Sequence, residues 1–169
     1  MKKAYKDVTK KWVRNVRPNS HEVLELRTVL CNGTRYEVDN KNVILDYSIK
    51  ELEMARWLEC TFGGELYMLP RVNNPCGIQT SDYLFKGDYW DLKTIVGSSN
   101  QTFYHAIYKK KKQCNNFIFD ISGSKISIKK AIKLVDILYK RLDTQFVNMI
   151  IIIKDNKFRI YKKRVRPRC

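Results

Sequence analysis

The stretch Ser81-Asp82-Tyr83-Leu84-Phe85-Lys86-Gly87-Asp88-Tyr89-Trp90-Asp91-Leu92-Lys93 reads as a β-hairpin with charged side chains set among aromatic ones. Residues 82–85 make the first strand, Lys86-Gly87-Asp88 the turn and residues 89–95 the return strand. Side chains at i and i+2 share one face of a strand. Asp91 and Lys93 therefore point one way, and Trp90 and Leu92 point the other, where they can pack. With the turn centred near Gly87, Asp82 lies across the hairpin from the segment 91–93. Two carboxylates and an ammonium are then expected on one patch.

Working outward, the segment before the hairpin opens with a helix. Ser48-x-x-Glu51 has capping-box spacing. Ala55, Leu58 and Phe62 follow Glu51 on one face at i+4, i+7 and i+11, and Gly63-Gly64 closes the helix. A strand over 65–69 stops at Pro70, and a loop over 71–77 leads to the hairpin. Beyond the hairpin, residues 101–114 read as a polar, basic helix and 117–121 as a strand. Ser127 caps an amphipathic helix with Ile128, Ile132, Val135 and Leu142 on one stripe. A buried strand over 147–153 then turns at Asp155-Asn156 into a short strand over 158–161. Upstream, residues 1–20 are a basic lead-in broken by Pro18-Asn19-Ser20. Strand candidates at 23–30, 36–38 and 43–45, with the hairpin signal Asn32-Gly33, suggest a small β meander. This organisation divides into a basic arm and hairpin extension (1–46), a central domain (47–161) and a basic tail (162–169). The central order of helix, three strands, helix and strand predicts an α/β or α+β domain.

Thirty-three Lys and Arg against seventeen Asp and Glu give a net charge of +16 over 169 residues. Such an excess suits a polyanionic partner: nucleic acid, an anionic membrane surface or an acidic protein. Hydrophobic and charged fractions of 44% and 30% are those of a globular chain. No apolar run approaches the roughly 18 residues of a membrane span. The first residues lead into no apolar signal core, so a cytosolic site of action is expected. Five scattered cysteines without C-x-x-C spacing, and only two histidines, argue against a disulfide framework or a zinc ribbon.

The carboxylate and ammonium set has a specific chemical use. Carboxylates hold a hard divalent cation such as magnesium through oxygens. The cation polarises a phosphoryl oxygen, and a neighbouring lysine can orient attacking water and stabilise developing charge. The plainer alternative is a surface hairpin whose Asp and Lys form an ion pair worth under about 1 kcal/mol.

The whole ordered set resembles the PD-(D/E)xK nuclease superfamily, whose pattern is a helical Glu, an Asp on the second core strand and (D/E)-x-K on the third. The matching positions are Glu51, Asp82 in Ser-Asp-Tyr, and Asp91 with Lys93 in Trp-Asp-Leu-Lys. Ser81 stands where the superfamily pattern has Pro. The run from Phe62-Gly-Gly-Glu-Leu-Tyr-Met-Leu-Pro through Trp-Asp-Leu-Lys is also similar to C-terminal toxin domains of CdiA-type contact-dependent inhibition proteins. The resemblance covers residues 46–121, and more loosely the remainder to 161. It implies an α-β-β-β-α-β core with a mixed sheet, preceded here by a small β-rich extension. It implies a metal-dependent nuclease in which Asp82 and Asp91, helped by Glu51, hold Mg2+ (or Mn2+ or Zn2+) and Lys93 positions water. Glu51 has a second possible role in the capping box, and Glu53 is its rival on the helix. The resemblance also makes Gln113 a candidate for lining the site. It favours RNA, tRNA in particular, over DNA as substrate, with an acidic immunity protein as a partner.

Within the basic helix, Tyr104 and Tyr108 could offer stacking faces, and Lys109, Lys110, Lys111 and Lys112 could grip phosphates. A merely solvated lysine face is the competing reading. His105 is a surface or core histidine in one reading and the general base of a metal-independent RNase in another. A non-catalytic nucleic-acid-binding module would also account for the charge.

Overall fold

The computed structural model describes residues 3–14, 22–111 and 113–165. The chain runs β1 (Tyr5–Asp7), α1 (Thr9–Arg14), β2 (Val23–Glu25), β3 (Thr28–Cys31), β4 (Thr34–Glu37), β5 (Val43–Ile44) and α2 (Ile49–Phe62). It continues through β6 (Leu66–Met68), β7 (Arg71–Val72), β8 (Tyr83–Phe85), β9 (Asp88–Thr94), α3 (Thr102–Ile107), β10 (Asn116–Asp120), α4 (Ile128–Lys140), β11 (Met149–Lys154) and β12 (Lys157–Lys163). This is a mixed α+β chain with few helices. From α2 onward the larger elements follow the expected order of helix, three strands, helix and strand, with the two-residue β7 added.

Two compact units share β9. One comprises Val13–Asp91 and Lys112–Cys114. Its strands run β9-β8-β6-β2, with β8 antiparallel to both neighbours and β2 parallel to β6. The β8–β9 turn is built from Lys86 at φ 52° and Gly87 at φ 79°. Two consecutive positive φ angles match the right-handed twist of the flanking strands. Tyr83, Phe85, Trp90, Leu66, Met68, Leu58 and Phe62 form the apolar interior. Helix α2 begins where expected: Ser48 accepts the Glu51 N–H, the Glu51 carboxylate accepts the Ser48 N–H, and Gly63 closes the helix.

The expected β meander is not formed. Only β3 and β4 make a hairpin, turning at Asn32-Gly33. β2 instead joins β6, and β5 pairs with β7 inside the segment expected to be a loop. Val29, Val43 and Val72 gather into a small apolar cluster of their own, which is what draws β5 to β7 rather than to β4.

The other unit comprises Met1–Trp12, Leu92–Lys111 and Asn115–Cys169. Its strand order is β1-β12-β11-β10-β9. β10 and β11 are parallel, and nearly every residue in them is buried, as expected for strands covered on both faces. Phe103 of α3 stacks on Phe119 of β10 at 4.3 Å. Helix α4 buries Ala131, Leu134, Val135, Leu138 and Tyr139. Leu142, expected on this stripe, is 90% exposed because the helix ends at Arg141, whose backbone is extended.

Helix α3 is shorter than the expected 101–114. It has no side-chain N-cap. The basic lead-in is not a free arm over its described part. Tyr5 pairs with Lys163, stacks on Tyr139 and meets Tyr161 edge-on, each at 5.2 Å. The rest of that lead-in (15–21), the end of the basic tail (166–169) and Lys112 lie outside the described residues. Among the described residues no disulfide forms, and no helix is long and apolar enough to cross a membrane.

Tyr5 is 3% exposed, and its hydroxyl has no hydrogen-bond partner among the described residues. Its contribution is therefore ring packing. Tyr5→Ala should lower unfolding free energy by about 3 kcal/mol, whereas Tyr5→Phe should change it by less than about 0.5 kcal/mol. Urea unfolding of both variants decides this, and a large loss in Tyr5→Phe would contradict it.

Candidate functional site

Tyr83, not among the candidate residues, is linked to three of them, Glu51, Asp82 and Asp91. Its ring is buried on β8, and its hydroxyl donates to the Glu51 backbone carbonyl at 2.8 Å, tying β8 to the first turn of α2. Burial pushes the Tyr83 phenol far above its ordinary range, and the negative charges of Asp82, Glu51 and Asp91 push it further. All three carboxylates singled out from the sequence thus lie within electrostatic reach of one hydroxyl.

The approach of the two strand aspartates differs from simple alternation. Tyr83 is paired with Trp90, yet the Asp82 N–H also donates to the Trp90 carbonyl, at 3.0 Å. Asp82 itself lies in a bend just before β8 rather than in the paired strand. The residue before it, Ser81, is buried. Its hydroxyl donates to the Gln113 backbone carbonyl at 2.9 Å. The Gln113 side-chain amide donates to the Thr80 carbonyl at 2.6 Å and to Asp91 Oδ1 at 2.5 Å. Asp91 is 1% exposed, and a charge taken from water to that extent requires such donors. Lys93 follows two positions later on β9 and is half-buried, alternating onto the side of the strand that Asp91 takes.

Glu51 takes the capping role. One carboxylate oxygen accepts the Ser48 N–H at 2.5 Å, and the other accepts from Arg71 Nη2 at 2.6 Å. Glu53 is exposed. The buried carboxylate of α2 is Glu59, which accepts the Glu22 N–H at 2.7 Å. Reading the helix face from Ala55 could have found it, since Glu59 lies four residues on.

The basic segment after α3 has its aromatic rings already in use. Arg141 lies 3.7 Å from the Tyr104 ring centroid, Tyr108 stacks on Tyr104 at 5.2 Å, and Lys109 Nζ sits 5.3 Å from the Tyr108 centroid. The Tyr104 hydroxyl donates to Asp143. Lys109 and Lys111 are exposed and Lys110 is half-buried. His105 is exposed and leans on Tyr104 and Tyr108.

Among the described residues no three His, Cys, Asp or Glu side chains converge closely enough to hold an ion. The donor chemistry nonetheless suits a hard cation, because the charges around Tyr83 are all carboxylate oxygens. Magnesium in particular is commonly held by one or two carboxylates together with substrate phosphates. Asp82 and Asp91 are the two that the sequence expectation assigns to it. Glu51 would first have to part from Arg71.

Comparison with known proteins points to the same region of the chain. Residues 79–158 match the model of the contact-dependent growth inhibition CdiA C-terminal domain family. The fold is similar to the solved CdiA-CT/CdiI toxin and immunity complex from Burkholderia pseudomallei, with a TM-score of 0.53, 19% identity, and coverage of 68% of this chain and 83% of that one. No curated protein sequence matches.

The buried phenol has a measurable consequence. Below about pH 10 both the folded and the unfolded chain hold the Tyr83 proton. Above it the unfolded chain releases the proton while the folded chain keeps it, so stability falls by about 1.4 kcal/mol per pH unit for this group. Tyr83→Phe should remove that increment from the alkaline slope, at a cost of about 1 kcal/mol at neutral pH for the lost bond to Glu51. Urea unfolding from roughly pH 9 to 11.5 tests this. Equal alkaline slopes in the two proteins would refute the placement of the phenol.

Proposed function

We propose that this chain is the effector domain of a contact-dependent growth inhibition system and acts as a metal-dependent nuclease of the PD-(D/E)xK kind, with folded RNA, tRNA foremost, as substrate. Two observations support this reading: Glu51, Asp82 and Asp91 all act electrostatically on the one buried hydroxyl of Tyr83, which is itself bonded to the Glu51 carbonyl, and the chain carries a net charge of +16. The match over 79–158 and the similarity to a toxin fold support the effector role.

In this reading Asp82 and Asp91 supply the oxygens that hold a divalent cation, Mg2+ by preference. The cation, when bound, supplies charge neutralisation and polarises the scissile phosphate. Gln113 fixes the Asp91 carboxylate through the 2.5 Å bond, and Ser81 and Thr80 fix Gln113 in turn. Lys93 orients the attacking water and stabilises charge that develops on the phosphate. The exposed lysines Lys109 and Lys111 add sequence-independent attraction to the backbone. Tyr104 and Tyr108 stack on each other, and Tyr108, 40% exposed, offers a base a face on which to stack. Selectivity for RNA would come from unstacked bases in loops and ends. A toxin of this charge calls for an acidic immunity partner, and the structural neighbour is itself described as a toxin and immunity complex.

Asp91→Asn keeps an acceptor for Gln113 and removes the charge. It and Lys93→Ala should each lower cutting by about 10²- to 10³-fold with unchanged circular dichroism. Incubation with total tRNA and with plasmid DNA, with magnesium or EDTA, tests the class. Cutting of tRNA that EDTA abolishes is expected. Efficient plasmid degradation with intact tRNA would make it a DNase, cutting that survives EDTA would return attention to His105, and binding without cutting would leave a non-catalytic module.

A further inference from the structure

Arg71 stands beside the carboxylate group without a role in the fold that requires an arginine. It begins β7, two residues after Leu69, whose N–H donates to the Asp82 carbonyl at 3.1 Å. The chain is thus tied to Asp82 two residues before Arg71, which itself pairs with Ile44 of β5. Among the described residues its guanidinium makes a single contact, Nη2 to Glu51 Oε1 at 2.6 Å. The rest of the fork is open: the Arg71 side chain is 44% exposed, against 15% for Glu51. A guanidinium has five donors in a planar array that matches phosphate oxygens in pairs, and here one edge is used. Glu51, for its part, needs Arg71 little, because its other oxygen remains on the Ser48 N–H.

The surroundings present a problem for any polyanion. Three carboxylates lie within reach of Tyr83, so a phosphodiester arriving there meets negative charge. A cation parked at the rim and able to change partners would offset this. Half-exposed ion pairs are weak, so the exchange of one oxyanion for another is nearly balanced. Resting on the nuclease reading above, we infer that Arg71 is a phosphate-binding residue of the site, held on Glu51 in the free protein and transferred to a backbone phosphate of the bound nucleic acid. No covalent step is involved, and the Glu51 carboxylate that Arg71 leaves becomes available beside Asp82.

The test is binding without cutting. Fluorescence anisotropy of a labelled RNA stem-loop and of duplex DNA of equal length, in EDTA at low salt, reads affinity alone. Arg71→Gln should weaken binding about tenfold. Lys157→Gln, an equal loss of charge in the exposed β11–β12 turn, should weaken it less than about threefold. Glu51→Gln keeps the capping acceptor and frees Arg71. It should tighten binding about threefold, and by clearly less when combined with Arg71→Gln, as interacting residues require. If Arg71→Gln fails to fold, Arg71→Lys, which keeps the charge and loses the fork, should still bind about threefold more weakly than wild type. The proposal is overturned if Arg71→Gln binds as tightly as Lys157→Gln, if Glu51→Gln has the same effect in both backgrounds, or if Arg71→Lys read in its place binds like wild type. A wild-type chain that binds neither RNA nor DNA would instead sink the nuclease reading, and this one with it. Tight binding and cutting by wild type alongside any of the overturning results would sink this inference alone.

Discussion

The hydrogen bond from the Tyr83 hydroxyl to the Glu51 carbonyl is where the sheet and helix α2 are fastened at the site. Its donor is neutral, which suits a hydroxyl surrounded by Asp82, Glu51 and Asp91. An ionised phenol there would add a fourth negative charge to a region already short of water. Two of these carboxylates are answered locally: Arg71 and the Ser48 N–H answer Glu51, and Gln113 answers Asp91. Both are thereby held in fixed positions.

The two smaller devices that shape the site both depend on the strand pair β8–β9. The tight turn at Lys86-Gly87 fixes the register. Asp82 sits in a bend just outside that register, its N–H still on the Trp90 carbonyl. Ser81 before it is not idle, because its hydroxyl holds the Gln113 carbonyl, a contact a proline could not make. The family match over 79–158 includes Ser81, Asp82, Asp91, Lys93 and Gln113, while Glu51 and Arg71 lie before it.

Local signals carried the parts of the fold that local physics controls. Ser48, Gly63 and the Lys86-Gly87 turn act on their own neighbours, and the capped helix and the hairpin were legible for that reason. What could not be read was partner choice between distant segments. Nothing in Val43 or Val72 alone says that β5 will seek β7, since the reason is a shared apolar cluster with Val29. Tyr5 was hidden among lysines, although its ring completes a three-tyrosine contact. Gln113 follows from family resemblance alone, because its bond to Asp91 joins segments 22 positions apart that no local signal connects. Tyr83 was passed over because a buried tyrosine on a strand is ordinary, and only the charges around it distinguish this one.

The pairing of β1 with β12 brings Arg164 Nε within 3.1 Å of the Tyr5 carbonyl, to which it donates across 159 positions of sequence. By contrast, the unit built from Val13–Asp91 draws almost wholly on neighbouring stretches, its one late addition being Lys112–Cys114. Closing a loop of the first kind costs chain entropy before any contact repays it. A growing chain can therefore assemble β2 through β8 before β12 has been made, whereas Tyr5 must wait for Lys163. Until then β1 and β12 are separate ribbons, and the parallel core of β10 and β11 lacks its outer edge. Closure of this edge of the sheet is accordingly a late event, completed when two distant segments are joined.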